Sequence, residues 1–315
     1  MTDRHLFVAD PIEDFDPQHD TTYVIMRELQ KRGHEIWCCR SVDLAWENRK
    51  LWSQARRVSV SNPPRAKHFV ELECALLEVD ECDLIWMRED PPFDSQYLYS
   101  TYLLEKTDVP VINDPRGIRD CNEKLFILEF PEFIPETWVG ADVAVARDFL
   151  KKVGGVAVAK TLSGYGGEEV YLIKNKSSRT DELLNQITSS GEKTVMLQEF
   201  LPGVSEGGDR RVIVVGGRPV GVLNRVPASG DFRSNIHSGG SAHRASLTEK
   251  ERWICSSIKD SLLARGLHLV GLDLVDDKIL EINVTSPTCV QEINKFNNIR
   301  LEEKIVDYVY HNILE

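Results

Sequence analysis

No run of apolar residues in this 315-residue sequence approaches the roughly 20 residues that a membrane-spanning helix requires. The apolar stretch at residues 6–9 is also too short for the hydrophobic part of a secretory signal peptide. Cations are in deficit, because 38 Lys and Arg stand against 50 Asp and Glu, whereas phosphate backbones attract clustered cations. These absences predict a cytoplasmic protein that binds neither membranes nor nucleic acids.

Three familiar chemical signatures are also missing. The seven cysteines, an odd number, form no Cys-x-x-Cys pair, which argues against a disulfide framework or a zinc site and predicts that most are small buried side chains. No Gly-Lys-Ser or Gly-Lys-Thr completes a Walker A loop. No Ser/His/Asp or Cys/His constellation stands out, so a covalent side-chain nucleophile is not expected.

A β-hairpin with oxygen ligands is predicted near the C-terminus. Residues 273–283 read Asp-Leu-Val-Asp-Asp-Lys-Ile-Leu-Glu-Ile-Asn, with turn-forming aspartates between apolar runs. A three-residue loop at 276–278 would place Asp273 opposite Glu281, and Asn283 would share the face of Glu281. Two carboxylates and an amide oxygen suit Mg²⁺ and, without His or Cys, suit zinc poorly. A surface hairpin whose charges face water is the alternative.

Short apolar segments alternate with helical patterns in the first third of the chain. Strands are predicted at 6–9, 35–39, 84–87 and 109–113, with a helix at 21–32. This alternation indicates a parallel sheet with crossover helices. Asp10 and Arg88 each follow one of these strands, at the end of the sheet where ligands bind; an ordinary strand-ending turn is the alternative.

From about residue 156 the strands pair as hairpins instead. They are predicted at 156–160, 169–174, 195–200, 211–215 and 220–226, with a helix at 179–190. No internal repeat or low-complexity tract separates them. We therefore predict an α/β (α+β) protein with an N-terminal parallel-sheet domain at 1–121 and two antiparallel lobes at 122–200 and 201–315.

Residues 160–167 form a glycine-rich loop after a strand that ends in lysine, and read Lys-Thr-Leu-Ser-Gly-Tyr-Gly-Gly. Glycines let backbone N–H groups approach an anion, and Lys160 adds a positive charge for phosphate. An ordinary flexible turn is the alternative. Together with the oxygen ligands at 273–283, however, the loop supplies what nucleotide and Mg²⁺ chemistry requires.

Three further segments fit a nucleotide site. The strand end at 198–202 is either a hinge that meets an adenine edge or an edge strand leaving its sheet. The charged triplet at 209–211 can bond a ribose hydroxyl and clamp an anion, or is a solvated charge run. The polar, glycine-rich segment 225–244 is either disordered or a lid over the site.

Six strings connect the chain to a known family: Asp-Pro-Ile at 10–12, Met-Arg-Glu-Asp-Pro-Pro-Phe-Asp at 87–94, Arg-Asp-Cys-Asn-Glu-Lys-Leu at 119–125, the loop at 160–167, Val-Gly-Leu-Asp at 270–273 and Glu-Ile-Asn-Val-Thr-Ser-Pro-Thr-Cys at 281–289. Over nearly its whole length the chain resembles the prokaryotic-type glutathione synthetases of the ATP-grasp superfamily. The segment 201–211 is one residue longer than the family pattern, which leaves Arg210 as an alternative to Arg211. Ser163 and Tyr165 also depart from that pattern.

The resemblance implies a role for each matching residue. Phosphates would contact Lys124, Lys160, Gly164, Gly166 and Gly167; adenine would contact Gln198, Glu199, Phe200 and Leu201; ribose would contact Asp209. Two Mg²⁺ ions, with Mn²⁺ as an alternative, would bind Asp273, Glu281 and Asn283. Arg211 and Arg225 would face the reacting centre, Arg233 would belong to the lid, and the peptide substrate would contact Asp10, Arg88, Ser286 and Thr288.

The implied activity is ATP-dependent ligation of γ-glutamylcysteine and glycine to glutathione through an acyl phosphate, with release of ADP and phosphate. The implied fold is the ATP-grasp fold, and the expected partners are these small molecules and further copies of the chain in a homo-oligomer. Two alternatives stay open at this point: an ATP-grasp ligase with another amine acceptor, and a nucleotide-binding regulatory protein without catalysis. The Arg88 loop and the string at 281–289 favour glutathione formation over the first.

Overall fold

The computed structural model describes residues 2–61, 68–167, 169–175 and 179–314. Its first sheet, sheet A, consists of β1 (Arg4–Val8), β2 (Glu35–Cys39), β3 (Leu44–Glu47), β4 (Lys50–Val60), β5 (Phe69–Glu78), β6 (Leu84–Met87) and β7 (Val111–Ile112). Strands β2, β1, β6 and β7 run parallel, as predicted. Strands β3, β4 and β5 extend the sheet in antiparallel fashion beyond β2, which the sequence analysis did not predict.

Helices cover both faces of sheet A. These helices are α1 (Thr21–Lys31), α2 (Ser95–Leu104) and α3 (Pro115–Asp120). Asp20 caps α1, because its carboxylate accepts hydrogen bonds from the first free N–H groups of the helix. Along β1, Phe7 packs in the core that contains α1, whereas Leu6 and Val8 pack in the core that contains α2 and α3. The strand is therefore buried on both faces, as expected for a parallel sheet.

Sheet B is antiparallel and has the order β10-β9-β11-β8. Its elements are β8 (Thr137–Gly140), α4 (Val143–Lys152), β9 (Val156–Thr161), β10 (Val170–Lys174), α5 (Thr180–Ile187) and β11 (Val195–Glu199). Ala157 and Ala159 on β9 pack against α4 and α5. Because side chains alternate along a strand, Val158 and Lys160 point to the other face, where they line a cavity.

Sheet C is also antiparallel, in the order β14-β13-β12-β15-β16. The C-terminal part comprises α6 (Gly203–Gly207), β12 (Asp209–Val215), β13 (Arg218–Val226), β14 (Ser241–Arg244), α7 (Glu249–Leu263), β15 (Leu269–Val275), β16 (Lys278–Asn283), α8 (Val290–Asn297) and α9 (Leu301–Val309). Helix α7 packs on one face of the sheet. Helices α8 and α9 pack on the other face and also against α1, which joins sheets A and C in a single core.

The sequence prediction was wrong in two details of sheet C. The segment 225–244 is not a loop throughout, because it begins in β13 and ends in β14, so that residues 227–240 connect the two strands. The turn of the last hairpin contains two residues, Asp276 and Asp277, both with positive φ, as a type I′ turn requires. A bulge at Leu280 supplies the extra residue, and Asp273 still pairs with Glu281.

The state of the cysteines and the length of the helices bear on two expectations from the sequence. Six of the seven cysteines are buried, as predicted, and Cys74 is exposed; all seven are free thiols. No described helix is long and apolar enough to cross a membrane.

Candidate active site

A cavity of about 980 Å³ lies between the three sheets. It is lined by all residues predicted for the site, which are Asp10, Arg88, Lys124, Lys160, Gly164, Gly166, Gly167, Gln198, Glu199, Phe200, Leu201, Asp209, Arg211, Arg225, Arg233, Asp273, Glu281, Asn283, Ser286 and Thr288. The fold therefore brings together segments from both ends and the middle of the sequence. Arg210 lies outside this lining and forms an ion pair with Glu251 on α7, so the alternative between Arg210 and Arg211 is decided in favour of Arg211 facing the cavity.

Two arginines and two aspartates on sheet C form a buried cluster. Arg211 donates from Nε and Nη2 to Asp273 at 2.6 and 3.0 Å. Arg225 donates from Nε and Nη2 to Asp209, both at 2.6 Å, and its Nη2 also lies 2.9 Å from Asp273 Oδ1. Each side chain faces an opposite charge, which offsets the cost of burying it.

Asp273 has no spare acceptor site in this arrangement. Burial alone would raise its pKa, but the charges of Arg211 and Arg225 outweigh burial and hold the pKa of the carboxyl well below its usual value. Asn283 Nδ2 adds a fourth hydrogen bond at 3.4 Å, and a carboxylate offers about four lone-pair positions. Asn283 Nδ2 is bonded more closely to the carbonyl of Gly271, at 3.1 Å, so its contact with Asp273 is the weakest of the four and the one that a cation can displace. Asp273, Glu281 and Asn283 can then offer three oxygens to a cation, so the donor set fits Mg²⁺.

Two lysines lie between the glycine loop and the hairpin β15–β16. Lys124 Nζ donates to the carbonyl of Gly164 and lies 3.3 Å from Glu281 Oε1. Lys160 Nζ donates to Gln198 Oε1 at 2.7 Å. Burial lowers the pKa of Lys160, although the Glu281 carboxylate opposes this effect. The two ammonium groups form a positive surface between sheets B and C.

The glycine loop touches the segment 227–240. Ser238 Oγ donates to the carbonyl of Gly166 at 3.0 Å. Gly167 has φ of +86°, and a Cβ atom built there would lie 2.6 Å from Ser238 Oγ, so a side chain at Gly167 would disturb this contact. Arg233 in the same segment lines the cavity and forms a 2.8 Å ion pair with Asp231. The segment thus lies against the cavity, and it belongs to the part of the chain predicted as a lid.

The wall of the cavity beside the lysines is largely apolar. It is formed by Val158, Val170, Phe200, Leu201, Val204, Val275 and Leu280. Gln198 is buried among them and donates to Thr137 Oγ1 at 3.3 Å. An apolar slot next to cations has the form of a site for a flat base with attached phosphates.

The end of the cavity formed by sheet A is acidic. Asp10 Oδ2 accepts from the backbone N–H of Asp90 at 2.8 Å, and Ser286 Oγ donates to the carboxylate of Asp90. Burial raises the pKa of Asp20 to about 6, while the N–H of Tyr23 and the charge of Arg88 oppose this rise. Thr288 completes the lining beside Ser286.

Glu123 is a cavity residue that sequence reasoning missed. Its Oε1 accepts from the N–H of Val284 at 2.9 Å and from the N–H and Oγ1 of Thr285 at 3.1 and 2.8 Å. Burial raises its pKa, and the nearby charge of Glu281 adds to the rise. It precedes Lys124 in one of the family-like strings, which was the signal available. The other missed lining residues include His19, Asp20 and Glu292, for which the sequence offered no comparable signal.

Comparison with known proteins extends these findings. A model of the N-terminal domain of prokaryotic glutathione synthetase matches residues 4–119, and a model of the ATP-grasp domain of prokaryotic glutathione synthetase matches residues 123–298. The chain belongs to the prokaryotic glutathione synthetase family. Membership confirms the predicted family and the predicted activity, an ATP-dependent ligase that forms glutathione.

Full-length relatives agree with the family models. The glutathione synthetase of Synechocystis sp. is 37% identical over 316 residues, covering 95% of this chain and 97% of that one. The glutathione synthetase of Nitrosomonas europaea is also 37% identical, covering 98% of this chain and 97% of that one. As a family member, the chain acts on small molecules that include ATP, and ATP-grasp ligases use ATP with a divalent metal ion.

Solved structures confirm the ATP-grasp fold. D-cycloserine synthetase DcsG has a TM-score of 0.66 at 14% identity and covers 99% of both chains. The ATP-grasp ligase PsnB, solved with a phosphomimetic variant of its minimal precursor, Mg and ADP, has a TM-score of 0.62 at 16% identity, covering 99% of this chain and 98% of that one. At such identities the likeness concerns the fold alone.

Proposed function

We propose that this cavity joins the cysteinyl carboxylate of γ-glutamylcysteine to the amine of glycine in two steps. A carboxylate oxygen first takes the γ-phosphoryl group of ATP, and ADP leaves. The glycine amine then attacks the acyl carbon, loses a proton and displaces inorganic phosphate. The observation that carries the proposal is that Lys124, Lys160, Arg211 and Arg225 face one cavity together with the hairpin that bears Asp273.

The nucleotide would bind between sheets B and C. Its phosphates would contact Lys124, Lys160 and the backbone of Gly164, Gly166 and Gly167, because these groups supply positive charge and unhindered N–H groups. Adenine would occupy the apolar slot beside Gln198, Glu199, Phe200 and Leu201. Asp209 uses two of its acceptor positions for Arg225 and retains others for a ribose hydroxyl.

Mg²⁺ would be held by Asp273, Glu281 and Asn283. When bound, it neutralises phosphate charge as the phosphoryl group moves. The chain's own contribution is the orientation of these side chains. Strands β15 and β16 fix Asp273 opposite Glu281, and the hydrogen bond from Asn283 Nδ2 to the carbonyl of Gly271 holds the Asn283 amide on the same hairpin. Mn²⁺, which also prefers oxygen ligands, is the alternative ion.

Arg211 and Arg225 would act at the reacting centre. Guanidinium N–H groups can stabilise the oxyanion that forms when glycine attacks the acyl phosphate. Both arginines already donate to carboxylates, so they are held in place before substrate arrives. Arg233, on the segment 227–240, would close over the intermediate and exclude water, while Asp10, Arg88, Ser286 and Thr288 would contact the peptide substrate.

We also propose how the chain is organised and where it works. The division into 1–121, 122–200 and 201–315 is supported by the residues of the three sheets. Self-association is supported by exposed Val70, Leu72 and Leu76 on β5, which pairs with β4 alone among the described strands. Size-exclusion chromatography with light scattering tests self-association, and fractionation of cells tests the proposed cytoplasmic location.

A coupled assay of ADP release tests the proposed reaction. ADP should form when ATP, Mg²⁺, γ-glutamylcysteine and glycine are all present, with one glutathione per ADP. Replacing glycine by alanine, serine or β-alanine should lower the rate. A faster rate with another amine would assign the chain to a different acceptor, and ADP formation that ignores both substrates would exclude the ligase reaction.

A further inference from the structure

The two ends of the cavity differ in their balance of charge. At the end between sheets B and C, the cations and carboxylates are balanced: Lys124, Lys160, Arg211, Arg225 and Arg233 stand beside Glu123, Glu199, Asp209, Asp273 and Glu281. At the end beside sheet A, carboxylates are in excess: Asp10, Asp14, Asp16, Asp20, Asp90 and, from α8, Glu292 stand beside Arg88 and His19. The excess of carboxylates favours a cationic group at the second end.

Arg88 is a buried cation within the acidic end and is only partly bonded. Its side chain is 4% exposed. Nε donates to Thr22 Oγ1 at 3.0 Å, and Nη2 donates to the carbonyl of Pro287 at 3.1 Å. Its Nη1 is buried without a hydrogen-bond partner among the described residues. Because an unpaired buried donor is costly, a bound anion is the expected partner.

Glu292 shows the complementary deficiency. It lies in the first turn of α8, where Oε1 accepts from His19 Nδ1 at 2.6 Å. Its Oε2 is buried, again without a partner among the described residues. A buried carboxylate oxygen of this kind calls for a donor, and an ammonium group of a ligand supplies one.

A row of contacts places Arg88 and Glu292 on the same wall of the cavity. Residues 19–22 run along residues 287–292: Gln291 Nε2 donates to the carbonyl of Asp20 at 2.7 Å, and the N–H of Val290 donates to Thr21 Oγ1 at 3.4 Å. Arg88 bridges one end of this row, through Thr22 and Pro287, and the pair of Glu292 with His19 closes the other. The spacing of the two incomplete groups is thereby fixed by the fold.

We propose, resting on the function proposed above, that this wall recognises a free α-amino acid head group on the peptide substrate. Arg88 takes the α-carboxylate, and Glu292, positioned by His19, takes the α-ammonium. A γ-linked glutamyl dipeptide carries both groups on one carbon, and this ammonium is its one cationic group. Holding the head group at the acidic end directs the cysteinyl carboxylate towards Lys124, Arg211 and Arg225.

The test pairs one variant with one altered substrate. Glutarylcysteine lacks the α-ammonium of γ-glutamylcysteine but keeps both carboxylates. For the unmodified protein, kcat/KM should be about 10- to 100-fold lower with glutarylcysteine, since a hydrogen bond to a charged group is lost. Glu292→Gln should lower kcat/KM for γ-glutamylcysteine by a similar factor and leave that for glutarylcysteine nearly unchanged. KM for ATP should not change.

A second pair tests the other half of the head group. 4-Aminobutanoylcysteine lacks the α-carboxylate. Arg88→Gln should leave kcat/KM for this substrate nearly unchanged and should lower kcat/KM for γ-glutamylcysteine. Glu249→Gln, which removes the exposed carboxylate at the first residue of α7, is the matched control. Its ratio of kcat/KM between the two substrates should equal that of the unmodified protein.

The ratio of the kcat/KM values for two substrates, measured on one preparation, does not depend on the fraction of protein that has folded. Loss of folded protein therefore cannot imitate the result. Equal losses for both substrates in Glu292→Gln, or no loss for either, would overturn the inference. Absence of any ADP release from the unmodified protein with γ-glutamylcysteine and glycine would instead overturn the proposed function.

Discussion

Asp273 combines a structural and a chemical task, because the same carboxylate that can bind Mg²⁺ also neutralises two buried arginines. Removing its charge in Asp273→Asn leaves Arg211 and Arg225 with a single carboxylate, Asp209, between them. We expect the free energy of unfolding to fall by about 3–5 kcal/mol, the usual cost of breaking a buried ion pair. Urea denaturation measures this change. Asp277→Asn, in the exposed turn of the same hairpin, is the control and should unfold normally; an equally stable Asp273→Asn would contradict the buried cluster.

Glu281 offers a cleaner test of the metal site. It is the less buried ligand and pairs with Lys124 rather than with the arginines. Glu281→Gln should fold normally but lower the rate of ADP release at ordinary Mg²⁺ by more than about 100-fold, since a direct ligand matters at least as much as the groups behind it. Excess Mg²⁺ should recover part of the rate. Near-normal turnover at ordinary Mg²⁺ would remove Glu281 from the metal site.

Lys160 tests the phosphate end of the cavity. Lys160→Gln replaces a charged donor by a neutral one, so ATP binding should weaken by about 1.5–3 kcal/mol, which is roughly 10- to 100-fold. Calorimetric titration with a non-hydrolysable ATP analogue measures the change. Lys174→Gln, at the exposed end of the neighbouring strand β10, is the control. Unchanged affinity in Lys160→Gln would mean that Lys160 is a structural lysine.

Sequence reasoning singled out most of the polar cavity residues between sheets B and C, but it found fewer of those at the acidic end. Asp273 and Glu281 lie close together in sequence and follow period-two alternation, so their pairing could be read directly. Glu123 instead accepts a hydrogen bond from Thr285, and Glu292 accepts one from His19. These partners are distant in the chain, and no local pattern connects them.

At the level of elements, continuous apolar runs decided which strands could be predicted. Strands β2 and β6 are buried and were predicted with their observed bounds. β5 was missed although Val70 to Cys74 alternate apolar and polar residues; all five are exposed, so the stretch contains no continuous apolar run. β14 was missed because its sequence, Ser-Ala-His-Arg, is polar and it pairs at the edge of sheet C. Edge strands thus depend on backbone pairing that composition does not reveal.

The segment 227–240 is the element that we expect to move. It is polar, it touches the glycine loop through Ser238, and Arg233 is its one Lys or Arg. Trypsin should therefore cut the free protein after Arg233, giving fragments 1–233 and 234–315. An ATP analogue with Mg²⁺ and γ-glutamylcysteine should slow this cut by ordering the segment. Gel electrophoresis over time measures the rate, with glycine alone as the control ligand.

Replacing the tip of the segment 227–240 with a short glycine linker tests whether the segment shields the acyl phosphate. Water should then reach the acyl phosphate, so ADP should form with less than one glutathione per ADP. Full coupling in the shortened protein, together with a cut rate that ignores both ligands, would mean that the segment is only a surface loop.

At the scale of the whole molecule, the distribution of cores suggests which part closes on the substrates. Sheets A and C share one core through α1, α8 and α9. Sheet B has its own core with α4 and α5, and Met196 on β11 joins it to the core that contains α7. A unit with its own core and few shared buried side chains opens at lower free energy than its surroundings.

We therefore expect sheet B to close against a unit made of sheets A and C when nucleotide binds. Hydrogen exchange followed by mass spectrometry should show that amides of β9, β10 and β11 exchange faster than those of β1, β12 and β15 in the free protein. An ATP analogue with Mg²⁺ should slow exchange most in sheet B, because Lys160 and the glycine loop then bind phosphates that also contact Lys124. γ-Glutamylcysteine alone should instead protect the peptides around Arg88 and Glu292. Equal exchange in all three sheets without ligands, or nucleotide protection confined to sheet A, would show that the cavity does not close in this way.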